Sequence, residues 1–306
     1  MAQIYSADEA IALGLIHGSA CSFGVFDGVH EGHRFIIDFA RKAAEEAGGK
    51  SIVITFSIDP DEMFRADSLK KLMSNEDRIA ELAKLDVDAI VVLPFSREFA
   101  AQPPHEFLEA TFGGNVPSSL HVGYDFRFGC KASGNVSILS DWGSERGMKV
   151  FGHELLVKDG APVTSTRIRG LLGEGKIEEA CELLGHPYAV YGAVEAGRGE
   201  GRDMGFKTAN IHVPDMMKVL GDGVYAAYAT VDGKRYKAAV SVGVAPSFEE
   251  AKANTEAHIL DFDGDIYGSV IKLEFTNWLR PMMKFPSLEV LIETVMGNID
   301  WVRRNL

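Results

Sequence analysis

Two histidines three residues apart, His30 and His33, stand in the run Gly24-Val25-Phe26-Asp27-Gly28-Val29-His30-Glu31-Gly32-His33. An apolar stretch around Cys21-Ser22-Phe23 precedes it, and a helical pattern follows from Arg34, with Phe35, Ile36, Phe39, Ala40 and Ala43 at helical spacing. The run is therefore a strand-to-helix turn. Gly24, Gly28 and Gly32 let the backbone approach an anion, with Phe26 and Asp27 between them, and the N–H groups of a helix N-terminus favour negative charge. Imidazoles in a His-x-Gly-His spacing can both face one α-phosphate and donate to it as charge builds and pyrophosphate departs. That chemistry is nucleotidyl transfer without a covalent intermediate. A metal pair, or two exposed turn histidines, is the alternative; the strand, the glycines and the helix favour the phosphate reading.

Three further constellations could handle phosphates. Thr164-Ser165-Thr166-Arg167-Ile168-Arg169 opens another helix, which Ser165 and Thr166 can cap while Arg169, one turn on, supplies a forked cation. Alone it is a capped helix with surface arginines; paired with the histidine turn it is a clamp on a triphosphate. The loop Gly197-Arg198-Gly199-Glu200-Gly201-Arg202-Asp203-Met204-Gly205 can wrap phosphates, and beyond it Thr208 and Asn210, two apart, would share one face of an extended segment. Their oxygens suit a Mg²⁺ bridging phosphate groups. A flexible loop before a strand is the plain alternative. Glu256 and His258 share a strand face by the same periodicity, and a glutamate aimed into a barrel mouth could accept the proton of a hydroxyl attacking a γ-phosphate. A solvated surface glutamate is the plain alternative there.

These groups need two scaffolds. At 306 residues the chain exceeds the roughly 250 at which single cores stop growing. Ser51–Phe56, a helix over 75–85, Ala89–Leu93 and Leu120–Gly123 alternate strand and helix signals, so the first half reads as a parallel α/β sheet covered by helices. A helix over 177–184, closed by Gly185 and Pro187, marks a boundary near His186. From Tyr188 on, β runs are joined by turn dipeptides: Val224–Val231, Asp232-Gly233 and a run to Val242 form one hairpin, and Glu256–Phe262 with Ser269–Phe275 form another expected pair. A small antiparallel barrel follows, with a terminal amphipathic helix capped by Ser287 that presents Leu288, Leu291, Ile292, Val295 and Ile299 to it.

Composition excludes several classes. A net charge of −13 disfavours nonspecific nucleic-acid binding, so anionic ligands must meet local cationic pockets. No apolar run approaches the roughly 20 residues of a membrane span, and Met1–Glu9 lacks the features of an export signal, so a cytoplasmic location is expected. Cys21, Cys130 and Cys181 are far apart, which argues against a disulfide framework or a zinc site.

The order GVFDGVHEGH, VGYDFRFG, TSTRIR, LLGHPYAVYGAVEAGRGEGRDMGFKTAN, GVYAAY and EAHILDFDGDIYG resembles the bacterial bifunctional riboflavin kinase/FAD synthetases from about residue 20 onward. The resemblance implies a Rossmann-like HxGH nucleotidyltransferase domain over 1–186 and a six-stranded antiparallel barrel with flavokinase activity over 187–306. It implies that riboflavin and ATP give FMN and ADP, and that FMN and ATP give FAD and pyrophosphate. His30, His33, Ser165, Thr166 and Arg169 would then serve adenylyl transfer, while Asp125 with Phe126 and Phe128 would line the ligand cleft. Thr208 and Asn210 would hold Mg·ATP, Glu256 would be the kinase base, and Arg280 with Phe285 would sit near the flavin.

The chain departs from that pattern at three places. Asp59 stands where the family has the histidine of Pro-His-Pro, Lys207 replaces the proline of GFPTAN, and Ala245 replaces the arginine of IGxRPTF. Both activities are expected to persist with altered affinities, the kinase being the weaker. The alternatives are a single-activity FMN adenylyltransferase with an impaired barrel, and a regulatory protein that binds flavin or nucleotide without turnover.

Overall fold

The structure, a computed structural model, describes residues 1–65, 68–196, 207–244 and 254–306. Its contacts divide into two compact units, Met1–Leu69 with Met73–Ser165, and Lys70–Leu72 with Thr166–Leu306.

In the first unit the apolar runs form a six-stranded parallel sheet: β1 (Gln3–Ser6), β2 (Ala20–Phe23), β3 (Ser51–Phe56), β4 (Ala89–Leu93), β5 (Ser119–Gly123) and β6 (Lys149–His153), in the order β1-β4-β3-β2-β5-β6. Between them run α1 (Ala7–Ala12), α2 (Glu31–Ala47), α3 (Pro60–Phe64), α4 (Asn75–Leu82), α5 (Arg97–Ala100), α6 (Pro104–Phe112) and α7 (Val136–Ser144). Ile52, Ile54 and Phe56 of β3 pack with Phe107, Phe112 and Trp142 on one face, whereas Val53 and Ile90 meet Ile37 of α2 and Leu82 of α4 on the other. Both faces are covered, which is why the central strands read as unbroken apolar runs. The order reverses beside β2, between β3 and β5, and ligands of open α/β sheets bind at such a switch point, outside the carboxyl ends of the strands. The histidine turn follows β2 and Tyr124–Phe128 follows β5, so the topology delivers both to that crevice.

Local details differ from the periodicity. Helix α2 starts at Glu31, three residues earlier than Arg34, and buries Ile36, Ile37, Ala40 and Ala44, leaving Phe39 exposed. Helix α4 ends at Leu82 instead of 85. The edge strands β1 and β6 carry mostly exposed residues, so no apolar run announces them. A short hairpin, β7 (Val157–Lys158) with β8 (Ala161–Pro162), ends this unit.

Helix α8 (Ser165–Gly173) belongs to the second unit from Thr166 on and is followed by α9 (Ile177–Leu184), whose C-cap Gly185 is left-handed at φ 74°. The contact division at Ser165 thus precedes residue 186, because α9 packs on the barrel. The barrel comprises β9 (Tyr188–Glu195), β10 (Ala209–His212), β11 (Gly223–Val231), β12 (Lys234–Gly243), β13 (Asn254–Ile259) and β14 (Val270–Arg280), closed in the order β10-β13-β12-β11-β14-β9. Asp232 and Gly233 both take positive φ, 47° and 76°, which gives the β11–β12 hairpin its two-residue turn. The second expected hairpin does not form. β13 pairs with β10 and β12, and β14 with β9 and β11; each needs both neighbours for closure, so Asp263-Gly264 lies in a crossover and not in a hairpin turn.

Ser287 caps α10 (Leu288–Asn305) by accepting the Val290 N–H at 3.4 Å. Leu291, Ile292, Val295, Ile299 and Val302 form its packed face against Ala226 and Ala239, while Leu288, expected on that face, is exposed in the first turn. Cys21, Cys130 and Cys181 are free thiols, and burial pushes Cys21 up to about 12. Among the described residues no helix is long and apolar enough to cross a membrane.

Candidate active sites

The histidine turn is strained. Phe26 (φ 61°), Gly28 (φ 83°) and Val29 (φ 41°) are all left-handed, and the two non-glycine residues cost about 1–3 kcal/mol each. A β-branched residue there is a genuine outlier, held only because its surroundings over-determine it. Close approach explains Gly32: a Cβ on it would lie 2.8 Å from the Val163 carbonyl oxygen.

His30 is the N-cap of α2, buried, with Nδ1 accepting the His33 N–H at 3.3 Å. Since Nδ1 accepts, the ring proton is assigned to Nε2, which makes that nitrogen the donor. The two imidazoles stack with centroids 3.5 Å apart and planes 18° from parallel, and Phe26 meets His33 edge-on at 5.3 Å. His33 Nδ1 is buried without a hydrogen-bond partner among the described residues. Burial first, then the charges of His30 and Arg78, hold His33 well below the ordinary 6.5, so it is neutral at neutral pH. Kept neutral, His33 stacks on His30 without the repulsion of two imidazolium charges and can still donate from its ring N–H.

Ser165 is the first residue of α8 and its Oγ donates to the Asp27 carbonyl at 3.0 Å, tying that helix start to the turn. By the bounds of α8, Ser165 and Thr166 are its first helical residues and not the N-cap residue before it. Thr166 and Arg169 belong to the second unit, where Arg169 Nε donates to the Lys70 carbonyl at 2.5 Å. Asp59, in place of the family histidine, is a buried N-cap of α3: it accepts the Asp61 N–H at 2.9 Å and forms a capping box with Glu62. After β5, Asp125 is exposed and Phe126 half-buried. Phe128 is a core residue, packed on Phe107 (5.4 Å) and Phe126 (5.7 Å), so it backs the loop and does not line a cleft.

Sequence reasoning missed Arg78. On α4 it shares the buried face with Leu82, and a charged residue inside that i, i+4 apolar stripe was the available signal. Its guanidinium donates to the Val25 and Phe56 carbonyls, both at 2.7 Å, and to Thr55 Oγ1 at 2.6 Å. It thereby joins the carboxyl ends of β2 and β3.

On the barrel, Thr255 lines an internal pocket with Val190, Val242 and Phe275, so the alternate residues Asn254, Glu256 and His258 face outward. Glu256 therefore stands on the outer wall and is not aimed into the barrel mouth. Asn210 of β10 is its direct cross-strand partner. Asn254, also missed, donates Nδ2 to Asn210 Oδ1 and to Glu256 Oε1, the latter at 3.2 Å. His258 Nδ1 donates to the Lys207 carbonyl at 2.8 Å, and Lys207 Nζ pairs with Asp263 at 2.6 Å, so two contacts hold the strand entry where the family has proline. Thr208 lies between Lys207 and β10, half-buried. Gly197, Gly205 and Ala245 lie outside the described residues. Arg280 ends β14, its Nε on Asn298 Oδ1 of α10 at 2.9 Å and its guanidinium over the Phe285 ring at 5.5 Å; burial lowers its basicity.

The FAD synthetase family model matches residues 15–167 and the riboflavin kinase model residues 184–306. Relatives named bifunctional riboflavin kinase/FMN adenylyltransferase include those of Haemophilus influenzae, 33% identical over 94% of this chain and 94% of that one, and Listeria monocytogenes, 33% identical over 89% and 87%. A solved structure described as a macrolide-efflux protein from Streptococcus pneumoniae superposes with a TM-score of 0.79 at 28% identity, covering 94% of this chain and 95% of that one. The chain belongs to the family of bifunctional riboflavin kinase/FMN adenylyltransferases.

Proposed function

We propose that the chain carries out both steps of flavin cofactor synthesis, with residues 1–186 serving adenylyl transfer and 187–306 serving the kinase, in the cytoplasm. The observation that carries the reading is the stacked pair His30 and His33 at the switch point of the sheet. A phosphate oxygen of FMN attacks the α-phosphorus of ATP; His30 Nε2–H and the His33 ring donate to the oxygens on which charge builds, and pyrophosphate leaves. Ser165 holds the turn, Thr166 and Arg169 take the β- and γ-phosphates, and Asp125 with Phe126 meets the ligand.

On the barrel, Glu256 accepts the proton of the riboflavin hydroxyl as its oxygen attacks the γ-phosphorus and ADP leaves. The donors fit Mg²⁺: Thr208 hydroxyl and the Asn210 carbonyl oxygen are hard, neutral ligands of the kind Mg²⁺ takes alongside nucleotide phosphates. Bound there, the ion would neutralise charge on the transferring phosphoryl group. Arg280 and Phe285 lie toward the flavin.

Incubating the purified chain with riboflavin, ATP and Mg²⁺ tests the reading: FMN and then FAD accumulate, with pyrophosphate released over many turnovers. No FMN from riboflavin, while supplied FMN still becomes FAD, would restrict the chain to adenylyl transfer. Tight binding without turnover would make it a regulatory protein.

A further inference from the structure

We propose that Arg78 is a positioning residue for adenylyl transfer, holding the Val25 carbonyl and through it the left-handed turn that presents His30 and His33. The inference rests on the reading of those histidines given above. Arg78 is 1% exposed, an expensive place for a guanidinium and one that a leucine would fill at no electrostatic cost. Its contacts are with the site and not with its own helix alone. Nη1 donates to the Val25 carbonyl and to Thr55 Oγ1, and Thr55 Oγ1 in turn donates to the same carbonyl at 3.3 Å. Nη2 holds the Phe56 carbonyl at 2.7 Å and Asn75 Oδ1 at 3.4 Å.

The Val25 carbonyl thus takes hydrogen bonds from two buried groups at the residue immediately before Phe26, where the left-handed run begins. A strained turn persists only where its surroundings over-determine it, and this carbonyl is the point at which the sheet does so. Arg78 Nε is buried without a hydrogen-bond partner among the described residues, so the head group is oriented for its Nη contacts at the expense of Nε. Burial lowers the basicity of the guanidinium, the charges of Asp59, Asp27, Glu62 and Glu76 oppose that effect, and the Arg78 charge in turn acts on His33.

The test measures FAD formation from FMN and ATP in the full chain. Arg78→Lys keeps the charge but not the fork, and Thr55→Val removes the second donor without changing volume. Arg78→Lys is expected to lower kcat roughly ten- to hundredfold, with the KM for FMN changed less than about twofold, and Thr55→Val to give a smaller loss of the same kind. In a His30→Ala background Arg78→Lys should cost clearly less than its roughly ten- to hundredfold effect in the unmodified chain, because only His33 is left for the turn to position. Unchanged kcat in Arg78→Lys, or the full loss repeated in the His30→Ala background, overturns the proposal. Should Arg78→Lys fail to fold, Thr55→Val still decides: an unchanged kcat there overturns the proposal. A His30→Ala chain with normal FAD formation sinks the reading of the histidines instead, and this inference with it.

Discussion

Asn210 and Glu256 lie directly opposite each other across the β10–β13 ladder, and one amide, that of Asn254, bridges their side-chain oxygens. Its orientation is set by the backbone: Asn254 Oδ1 accepts the Thr255 N–H at 2.9 Å, so Nδ2 must face the pair. The bridge holds a carboxylate and an amide oxygen at one spacing on the outer wall. Asn254→Ala should lower FMN formation about tenfold, the cost of a lost hydrogen bond to a charged group, and leave FAD formation unchanged. Asn254→Asp should do worse, since a carboxylate beside Glu256 repels it. Steady-state rates of both reactions in one preparation check this.

His30 and Glu256 stand in separate contact units, so the two activities should be separable. His30→Ala should lower FAD formation by roughly 10²-fold or more, as for loss of one transition-state donor, with FMN formation intact; Glu256→Gln should do the reverse. Parallel loss of both activities in either variant would contradict two independent sites.

Much of this was legible from residue types, and the failures share a cause. The central strands, α9 with Gly185, and the Asp232-Gly233 turn were readable because each obeys local periodicity or turn chemistry. The β13–β14 pairing was not, because barrel closure is a global constraint that outweighs a local Asp-Gly signal. Glu256 was placed on the right face pattern but on the wrong side of the wall, since period-2 alternation marks two faces without saying which is inside. Arg78 and Asn254 escaped because their partners are distant in sequence or are carbonyl groups, to which side-chain motifs are blind.

A pH dependence of stability follows from the His121–His153 pair on β5 and β6, joined Nδ1 to Nε2 at 2.9 Å. Burial, then the neighbouring His153, pushes His121 down to about 4. Between pH 6.5 and 4 the unfolded chain takes up a proton that the folded chain refuses, so stability is complete above about 6.5 and falls as the pH drops toward 4. The loss should reach about 2 kcal/mol after allowance for solvent screening. Trp142 fluorescence during denaturant unfolding, in a chain with Trp278 and Trp301 replaced by Phe, measures it; His121→Gln should flatten the slope. An unchanged slope would remove this pair as its source.

The last expectation concerns where small residues are indispensable. A Cβ on Gly32 would stand 2.8 Å from the Val163 carbonyl and 3.1 Å from the His30 ring, and Val163 lies two residues before Ser165. Neither neighbour can yield cheaply: the carbonyl is backbone, and His30 is fixed as the cap of α2. Gly32→Ala should therefore push the α8 entry away from the turn, destabilise the sheet unit by about 1–3 kcal/mol and suppress FAD formation while sparing the kinase. Gly297, inside α10, meets nothing within 4 Å, so Gly297→Ala should stabilise the barrel unit by up to about 1 kcal/mol. Thermal unfolding with activity assays distinguishes the two, and a Gly32→Ala chain with normal stability and normal FAD formation would show that the turn tolerates a wider approach than its geometry implies.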